Sequence, residues 1–382
     1  MAVTAMPTDS ALAVKLWEVE GFVDIMKRTA FGHMYRRGTI MRAARLDNSQ
    51  VGDEVTLNFT GILTQEGLTE GGTLTGNEEA LDLQSFTMRQ NVLRAAVLSP
   101  NDDTIEQVRT VVPFESRSRL QIPRWHASRL DASVFNQLAG VNTTTITVDT
   151  TVYSGNKRQI VQGLNTIAAP SSDRIIRAGS QATDEALTSS DTFTLDLIDA
   201  AIEQLGRTYP HVEALDDMSF DLYLSYEQMT DLKRDSSGKI QWYQNYLSQM
   251  EGGVTGEDQN TIFTANQYTM TPVAKYANVY IYSSFRVAFG QNSSTAAAIT
   301  NVRRAVLCGR DAAGFASKFS GALEDLGAME GNVPLKIYTQ LKDYDYQKGV
   351  EGRMIYGLKK LQFDSQDYGS TVIATYAAPH TS

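Results

Sequence analysis

Between Pro113 and Gly140 apolar residues recur at steps of three and four, so that Ala127, Leu130, Val134 and Leu138 fall on one stripe that Leu120 and Pro123 extend towards the N-terminus. The spacing predicts a long helix. Gly140 is its expected stop, because glycine enters the left-handed region without a Cβ penalty. Pro113 suits a first helical turn, whereas Pro123 lies inside the pattern and predicts a kink or restart near Ile122 and Pro123. Upstream, Val55, Leu57 and Phe59 alternate as a strand, TQEGLTEGGTLTGNE supplies glycines and turn formers, and Leu81, Leu83 and Phe86 resume the apolar pattern. A long hairpin or extended loop follows from this.

Downstream of the helix, NTTTITVDTTVYSGNKR reads as a strand with a polar connection. Thr192 or Thr194 is the expected cap of a helix whose apolar face is Ile198, Ala201, Ile202 and Leu205 and whose end is Gly206. Phe220, Leu222 and Leu224 alternate as a strand, YEQMTDLKRD predicts a short helix, and Asp235 to Thr261 reads as a long surface loop. NVYIYSS, RRAVLCG and several C-terminal segments, ending in Thr371 to Tyr376, predict further strands. The fold class is α+β, in at least two structural units.

Charge changes this picture in three places. Between Arg45 and Arg89 there is no Lys or Arg, while Asp53, Glu54, Glu66, Glu70, Glu78, Glu79 and Asp82 are all acidic. The long helix carries Arg117, Arg119, Arg124 and Arg129 against Glu115 and Asp131, so its solvent face is expected to be basic and to seek a partner. The acidic excursion is the obvious candidate, within one chain or between neighbours. Met1 to Arg45 holds seven basic and four acidic side chains and reads as a mobile arm that docks on something larger.

Composition bounds the rest. The 382 residues suffice for a substantial core, and 20% charged with 42% apolar residues argues against wholesale disorder. A net charge of −10 disfavours a surface devoted to nucleic acid. The single Cys308 excludes an intrachain disulfide and a cysteine zinc cluster. No apolar run approaches a membrane span, and the chain is expected to fold in the cytoplasm.

Candidate chemistry is sparse. Glu78 and Glu79 are adjacent, which on a strand sends them to opposite faces, and no His neighbours them in sequence. His33, His126, His211 and His380 lack metal-ligand spacing, and no dinucleotide, nucleophile-elbow or phosphate-loop motif occurs. Cys308 lies in an apolar run and reads as a small core residue. Trp125 is either an interface anchor or part of the helix's own core. No catalytic residue, cofactor or metal is predicted.

Three segments carry a family resemblance. LTQEGLTEGGTLTGNEEAL is similar to an LTGEG…TLEGNEEAL segment, WHASRLDASVFNQLAG to a tryptophan-to-FNQLAG helix end, and APSSDRIIRAG with TFTLDLIDAA and YEQMTDLKRD to a family centre, with YGLKKLQFDSQDYG similar as well. Together they resemble the major capsid (coat) protein of tailed bacteriophages, in the N-four-like podovirus family.

The resemblance implies the Hong Kong ninety-seven coat fold: an N-terminal arm (1–47), an extended loop (48–89), a peripheral domain with the spine helix (90–164), an axial domain (165–333), and C-terminal strands returning to the peripheral domain (334–382). It implies a virion protein, assembled in the host cytoplasm as hexamers and pentamers of an icosahedral shell around double-stranded DNA. Portal and scaffolding or decoration proteins are the implied partners, DNA contact is weak and non-specific, and no membrane is involved. The expected inter-subunit residues are Glu66, Glu70, Glu78 and Glu79 on the loop, Arg117, Arg124, Trp125 and Arg129 on the spine, and Lys15, Trp17, Arg36 and Arg37 on the arm. Two alternatives stand beside this: an encapsulin-type cellular compartment shell, and a soluble α+β enzyme using Glu78 or Cys308.

Overall fold

The computed structural model describes residues 21–42, 54–60, 66–73, 75–76, 78–80, 83–100, 105, 109, 114–235, 270, 272–317, 335–344 and 346–380. A helical segment at 21–28 precedes α1 (Ala30–Arg37), whose N-cap Thr29 accepts from Gly32 N at 3.1 Å. β1 (Ile40–Arg42) follows, then the antiparallel pair β2 (Glu54–Thr60) and β3 (Leu83–Arg89), and β4 (Asn91–Pro100) begins one residue later. α2 (Phe114–Ala139) is the longest helix, and β5 (Thr145–Val148) with β6 (Thr151–Ser154) forms a hairpin where one strand and a polar connection were expected.

The chain continues through β7 (Ile175–Arg177), α3 (Leu195–Arg207), β8 (Phe220–Leu224) and α4 (Tyr226–Arg234). Next come β9 (Ala274–Tyr276), β10 (Val279–Ser283), β11 (Phe289–Gln291), β12 (Ala298–Cys308) and β13 (Ala313–Ser317). The last strands are β14 (Leu335–Lys342), β15 (Gln347–Lys360), β16 (Gln362–Phe363), β17 (Gln366–Asp367) and β18 (Ser370–Tyr376). The loop expected at Asp235 to Thr261 lies, after Asp235, outside the described residues.

Two sheets organise these strands. In the first, Tyr356 of β15 pairs with Asn91 on one side and Ser317 on the other, and Met354 pairs with Leu93 and Leu335. β4 therefore runs along one edge of β15 while β13 and β14 lie end to end along the other, with β1 parallel to β13. The second sheet has the order β7-β18-β12-β8-β10-β9, with β11 also paired to β12. β14 and β15 thus join the sheet beside α2, whereas β18, expected there too, lies between β12 and β7. β13, placed in the axial unit by the expected boundary at 333, belongs to the first sheet.

The second sheet is buried on both faces, which explains why all five residues of β8 are buried. Phe220, Leu222 and Leu224 pack with Ile198, Leu205, Met229 and Leu232 of α3 and α4. Tyr223, with Tyr282, Val306 and Cys308, faces the other way into the core built on α2 and α1. α3 runs through Gly206 to Arg207. A terminal glycine is unnecessary because the buried Arg174 donates to the carbonyls of Gln204 at 3.1 Å and Thr208 at 2.9 Å, and also to that of Pro210. α4 starts with a reciprocal capping box between Ser225 and Gln228.

α2 is one continuous helix through Pro123, without the expected restart. Pro123 is buried and stands where a Cβ on Gly21 would come within 3.0 Å of its ring, so tertiary packing holds the turn that proline weakens. Leu130, Val134 and Leu138 of the expected stripe are fully buried, but Leu120 is 54% exposed. From Leu130 onward every residue to Ala139 is buried, Asp131, Asn136 and Gln137 among them, so this half has no solvent face. Its buried carboxylate and its terminal carbonyls are paired instead. Asp131 accepts from Phe31 N at 3.0 Å at the start of α1, and Arg304 donates to the carbonyls of Ala139 at 3.0 Å and Gly140 at 3.3 Å. Gly140 itself has φ +62, as the sequence requires of a helix stop.

α2 crosses β15 at Gly352, where a Cβ would fall 2.1 Å from Ile122 Cγ2. Gly352→Ala is therefore expected to lower stability by about 1–3 kcal/mol, read from urea unfolding, as overpacking does in a filled core.

A second expectation concerns pH. Burial raises the Asp131 carboxyl to about 7, partly opposed by the α1 N–H groups, whereas an unfolded aspartate titrates near about 3.9. The folded chain keeps this proton where the unfolded chain has lost it, so the resulting stabilisation is full below the unfolded pKa and disappears as pH rises through the folded one. Asp131→Asn keeps an acceptor for Phe31 N and removes the dependence. Relative to wild type it should gain roughly 2–3 kcal/mol between pH 5 and pH 8. An equal difference at the two pH values would contradict this.

Candidate functional site

The acidic excursion stands on a firm base. Val55, Met88, Ala316 and Leu361 form a buried cluster under the β2–β3 pair. Lys359 Nζ sits 4.0 Å from the Phe86 ring centre and donates to Thr87 O at 3.0 Å. Asn165 exchanges hydrogen bonds with the backbone of Arg89, at 2.7 and 2.8 Å, and donates to Leu358 O at 3.1 Å. Gln84 Oε1 accepts from Asp364 N at 3.1 Å. These contacts fix the direction in which the hairpin leaves the body. At its far part Glu66, Glu70 and Glu78 are exposed and Glu79 is half-buried. Glu78 accepts from Gly76 N at 2.8 Å, which leaves its charge in solvent.

The spine is less basic outside than its sequence. Arg117 and Arg124 are exposed, and Trp125 is half-buried under the Arg129 guanidinium, 4.6 Å from its ring centre. Arg129 itself is 4% exposed and donates to Tyr153 Oη at 3.0 and 3.2 Å and to Asp149 at 3.0 Å. Arg119 is buried against Glu115, whose other oxygen meets Lys348 Nζ at 2.9 Å. Of the four arginines only Arg117 and Arg124 remain on the surface, because the buried charges of α2 need partners inside the subunit. Arg129, expected on the surface, is therefore an internal residue. Although burial works against its charge, Asp149 is held below the usual carboxylate range by Arg286 and Arg129.

Lys15 and Trp17 lie outside the described residues. Arg36 is half-buried. Arg37, expected to reach a neighbour, is bound within its own subunit: it donates to Asp217 at 2.8 Å, Ser219 at 2.8 Å and Asp221 at 3.0 and 3.2 Å. His33, one turn earlier and fully buried, has Nε2 3.5 Å from Asp221 Oδ2. α1 thus joins the two sheets, its N-terminus on Asp131 of α2 and its C-terminus on β8.

Sequence reasoning also missed Asp184. This buried carboxylate accepts from Arg177 at 2.9 Å, Arg304 at 2.7 Å and Gln291 N at 3.1 Å, and these partners keep it charged and below its usual pKa despite burial. Its partners are as far as 120 positions away, and no local pattern announces the cluster.

A further surface was not foreseen. On the face of the first sheet away from α2, strand register places Arg94, Arg353 and Lys336 side by side across β4, β15 and β14. The next rows are Ala96, Glu351 and Tyr338, then Leu98, Gly349 and Gln340, then Pro100, Gln347 and Lys342. Glu351 lies 2.5 Å from Arg94 and 3.1 Å from Arg353, which holds its carboxyl low. The small residues Ala96 and Gly349 leave a shallow hollow of about 650 Å³ between the cations.

Among the described residues no group of three or more His, Cys, Asp or Glu side chains is placed to hold a metal ion. Cys308 is buried, and its thiol is pushed up by burial and by Asp221. Among the described residues no helix is long and apolar enough to cross a membrane.

Known proteins share both sequence and architecture. The profile of the phage capsid protein family matches residues 5–379. The major capsid protein of Pseudomonas phage KPP25 is 23% identical over 366 residues, covering 89% of this chain and 87% of that protein. Among solved structures, the capsid of Ralstonia phage GP4 superposes with a TM-score of 0.73 at 20% identity, covering the whole of both chains. The cyanophage Pam1 capsid gives 0.57 at 15% identity over 87% of each. The tailed-phage coat fold implied by the three sequence segments is therefore the fold observed, and with all but its ends matched the chain belongs to the phage capsid protein family.

Proposed function

We propose that many copies of this chain form the hexamers and pentamers of an icosahedral shell that encloses double-stranded DNA. The observation that carries this reading is the family match over nearly the whole chain, joined to an architecture in which an acidic hairpin leaves the body with Glu66, Glu70 and Glu78 exposed. In this reading residues 1–47 are the arm, 48–89 the extended loop, and 90–164 the peripheral unit with its spine. The remainder of the peripheral sheet comes from β13, β14 and β15. The axial unit is built on the second sheet. Each contact between copies is weak, and a subunit held by several neighbours at once is held firmly.

The loop engages a neighbouring copy through Glu66, Glu70, Glu78 and Glu79, and complementarity of charge selects the register of assembly. The net charge of −10 keeps packaged DNA from sticking, so DNA contact is weak and non-specific. Portal and scaffolding or decoration proteins complete the particle, which assembles in the host cytoplasm. A cellular compartment shell shares this kind of body, but the family match and the phage relatives favour a virion.

Negative-stain electron microscopy with size-exclusion chromatography tests the reading, on the chain expressed alone and in lysate from its source. Closed shells of uniform diameter in either sample are expected; monomers or dimers in both would overturn it. A third expectation addresses the loop. Replacing Glu66, Glu70, Glu78 and Glu79 together by Gln should leave the subunit's circular dichroism and melting unchanged while shell yield falls by about tenfold, as loss of charge steering predicts. Wild-type yield would contradict electrostatic docking.

A further inference from the structure

We propose that Asn165 is the residue that sets the direction of the β2–β3 hairpin and, through that direction, the uniform diameter of the shell. This rests on the reading of residues 48–89 as an inter-subunit loop, and it assigns what aims that loop.

Three observations carry it. First, the pivot is one residue long. β3 ends at Arg89, paired with β2, and β4 begins at Asn91, paired with β15, so Gln90 alone separates the two pairings. Gln90 does not hold itself, since its buried Nε2 has no hydrogen-bond partner among the described residues. β2 and β3 have 7 residues each, a span of roughly 23 Å, so a turn of about 10° at Gln90 carries the far end of the pair about 4 Å. That is more than a hydrogen bond tolerates.

Second, both flanks of the pivot are tied to one segment. Asn165 Oδ1 accepts from Arg89 N at 2.7 Å, and Asn165 Nδ2 donates to Arg89 O at 2.8 Å and to Leu358 O at 3.1 Å. On the other flank Asn91 Nδ2 donates to Gln159 O at 3.1 Å. Asn165 thus does for Arg89 what a neighbouring strand would do, meeting its N–H and its C=O together. One acceptor and two donors on a single short side chain is the inventory of a primary amide, and one N–H with two carbonyls around it fixes which way the amide faces.

Third, that segment is anchored on the spine. Val161, in the helical turn Gln159–Gln162, is fully buried with Ala132 of α2 and with Ile146, Val148 and Tyr153 of the β5–β6 hairpin. Arg158 adds bonds to Thr143 O at 2.8 Å and Asn142 Oδ1 at 3.1 Å. The β2–β3 hairpin therefore takes its bearing from α2 by way of Val161 and Asn165. Lys359 and Asp364 hold β3 farther out, at Thr87 and Gln84, whereas Asn165 holds it at the pivot. Copies that close into one shell must repeat one angle, and a hinge absorbs its change of direction at a few residues.

Two variants test the proposal. Asn165→Ala removes all three bonds. Asn165→Asp keeps the acceptor for Arg89 N but turns a carboxylate oxygen towards two carbonyls, a repulsion that protonation relieves by restoring one donor. For both, the melting temperature of the subunit is expected to stay within about 4 °C of wild type. Hydrogen exchange of residues 83–91 should quicken about tenfold at pH 8, and negative-stain images should show open or mixed-diameter shells. Assembled at pH 5, Asn165→Asp should recover uniform shells, and Asn165→Ala should not. Exchange in α2 and the second sheet reports the fold separately, so a variant that fails to fold is told apart from one that has lost its aim.

The failures separate. If residues 83–91 exchange faster while the shells keep wild-type diameter, or if exchange does not change, the proposal is overturned. Deleting residues 66–80 then decides the loop reading: it stands if shells are lost, and it fails together with this proposal if shells form as in wild type.

Discussion

Burial of the second half of α2 on every side is the constraint on which the rest of the subunit depends. A helix with no solvent face keeps its charges only where they are paired, and here Asp131, Arg129 and the carbonyls of Ala139 and Gly140 are met by groups from other elements. Those partners come from α1, from the β5–β6 hairpin that follows the helix, and from the second sheet. Satisfying the helix therefore fixes where the arm and both sheets sit. The same core that contains Leu130, Val134 and Phe135 contains Tyr223 and Tyr282 from one sheet and Val350 and Met354 from the other.

This arrangement separates charges paired inside the subunit from charges left in solvent. Near the spine, cations and anions neutralise one another inside the body: Arg304 and Arg177 on Asp184, Arg37 on Asp217 and Asp221, Arg286 on Asp149. Breaking one partner of such a pair is expensive, so these residues serve rigidity. Away from the spine the excursion holds Glu66, Glu70 and Glu78 in solvent. Surface charges of that kind contribute little to folding and much to the orientation and selectivity of encounter.

The long helix, its stop at Gly140, the strand at Phe220 to Leu224 and the hairpin around the acidic run were legible because each follows from local periodicity or from one residue's backbone preference. Leu120 was misplaced because the stripe was extended past the turn where α2 emerges from the core, and the expected restart at Pro123 does not occur because packing against Gly21 and β15 compensates for the lost hydrogen bond. Arg129 and Arg37 were read as surface cations since a sequence shows a charge but not its partner; Asp149 and Tyr153 lie 20 and 24 positions from Arg129, and Asp221 lies 184 from Arg37. The basic sheet face was invisible for the same reason, since Arg94, Lys336 and Arg353 become neighbours only through strand register.

A shell made of such subunits needs a rigid body to define curvature and adjustable, individually weak contacts to let copies find one register. The buried ion pairs suit the first, and in the proposed reading the exposed carboxylates of the excursion serve the second. The most direct test is a cryo-electron microscopy reconstruction of the assembled particle at a resolution that traces the chain. The account predicts closed icosahedral shells in which residues 66–80 of each copy reach an adjacent copy. Excursions folded back on their own subunit, or particles without closed symmetry, would contradict it.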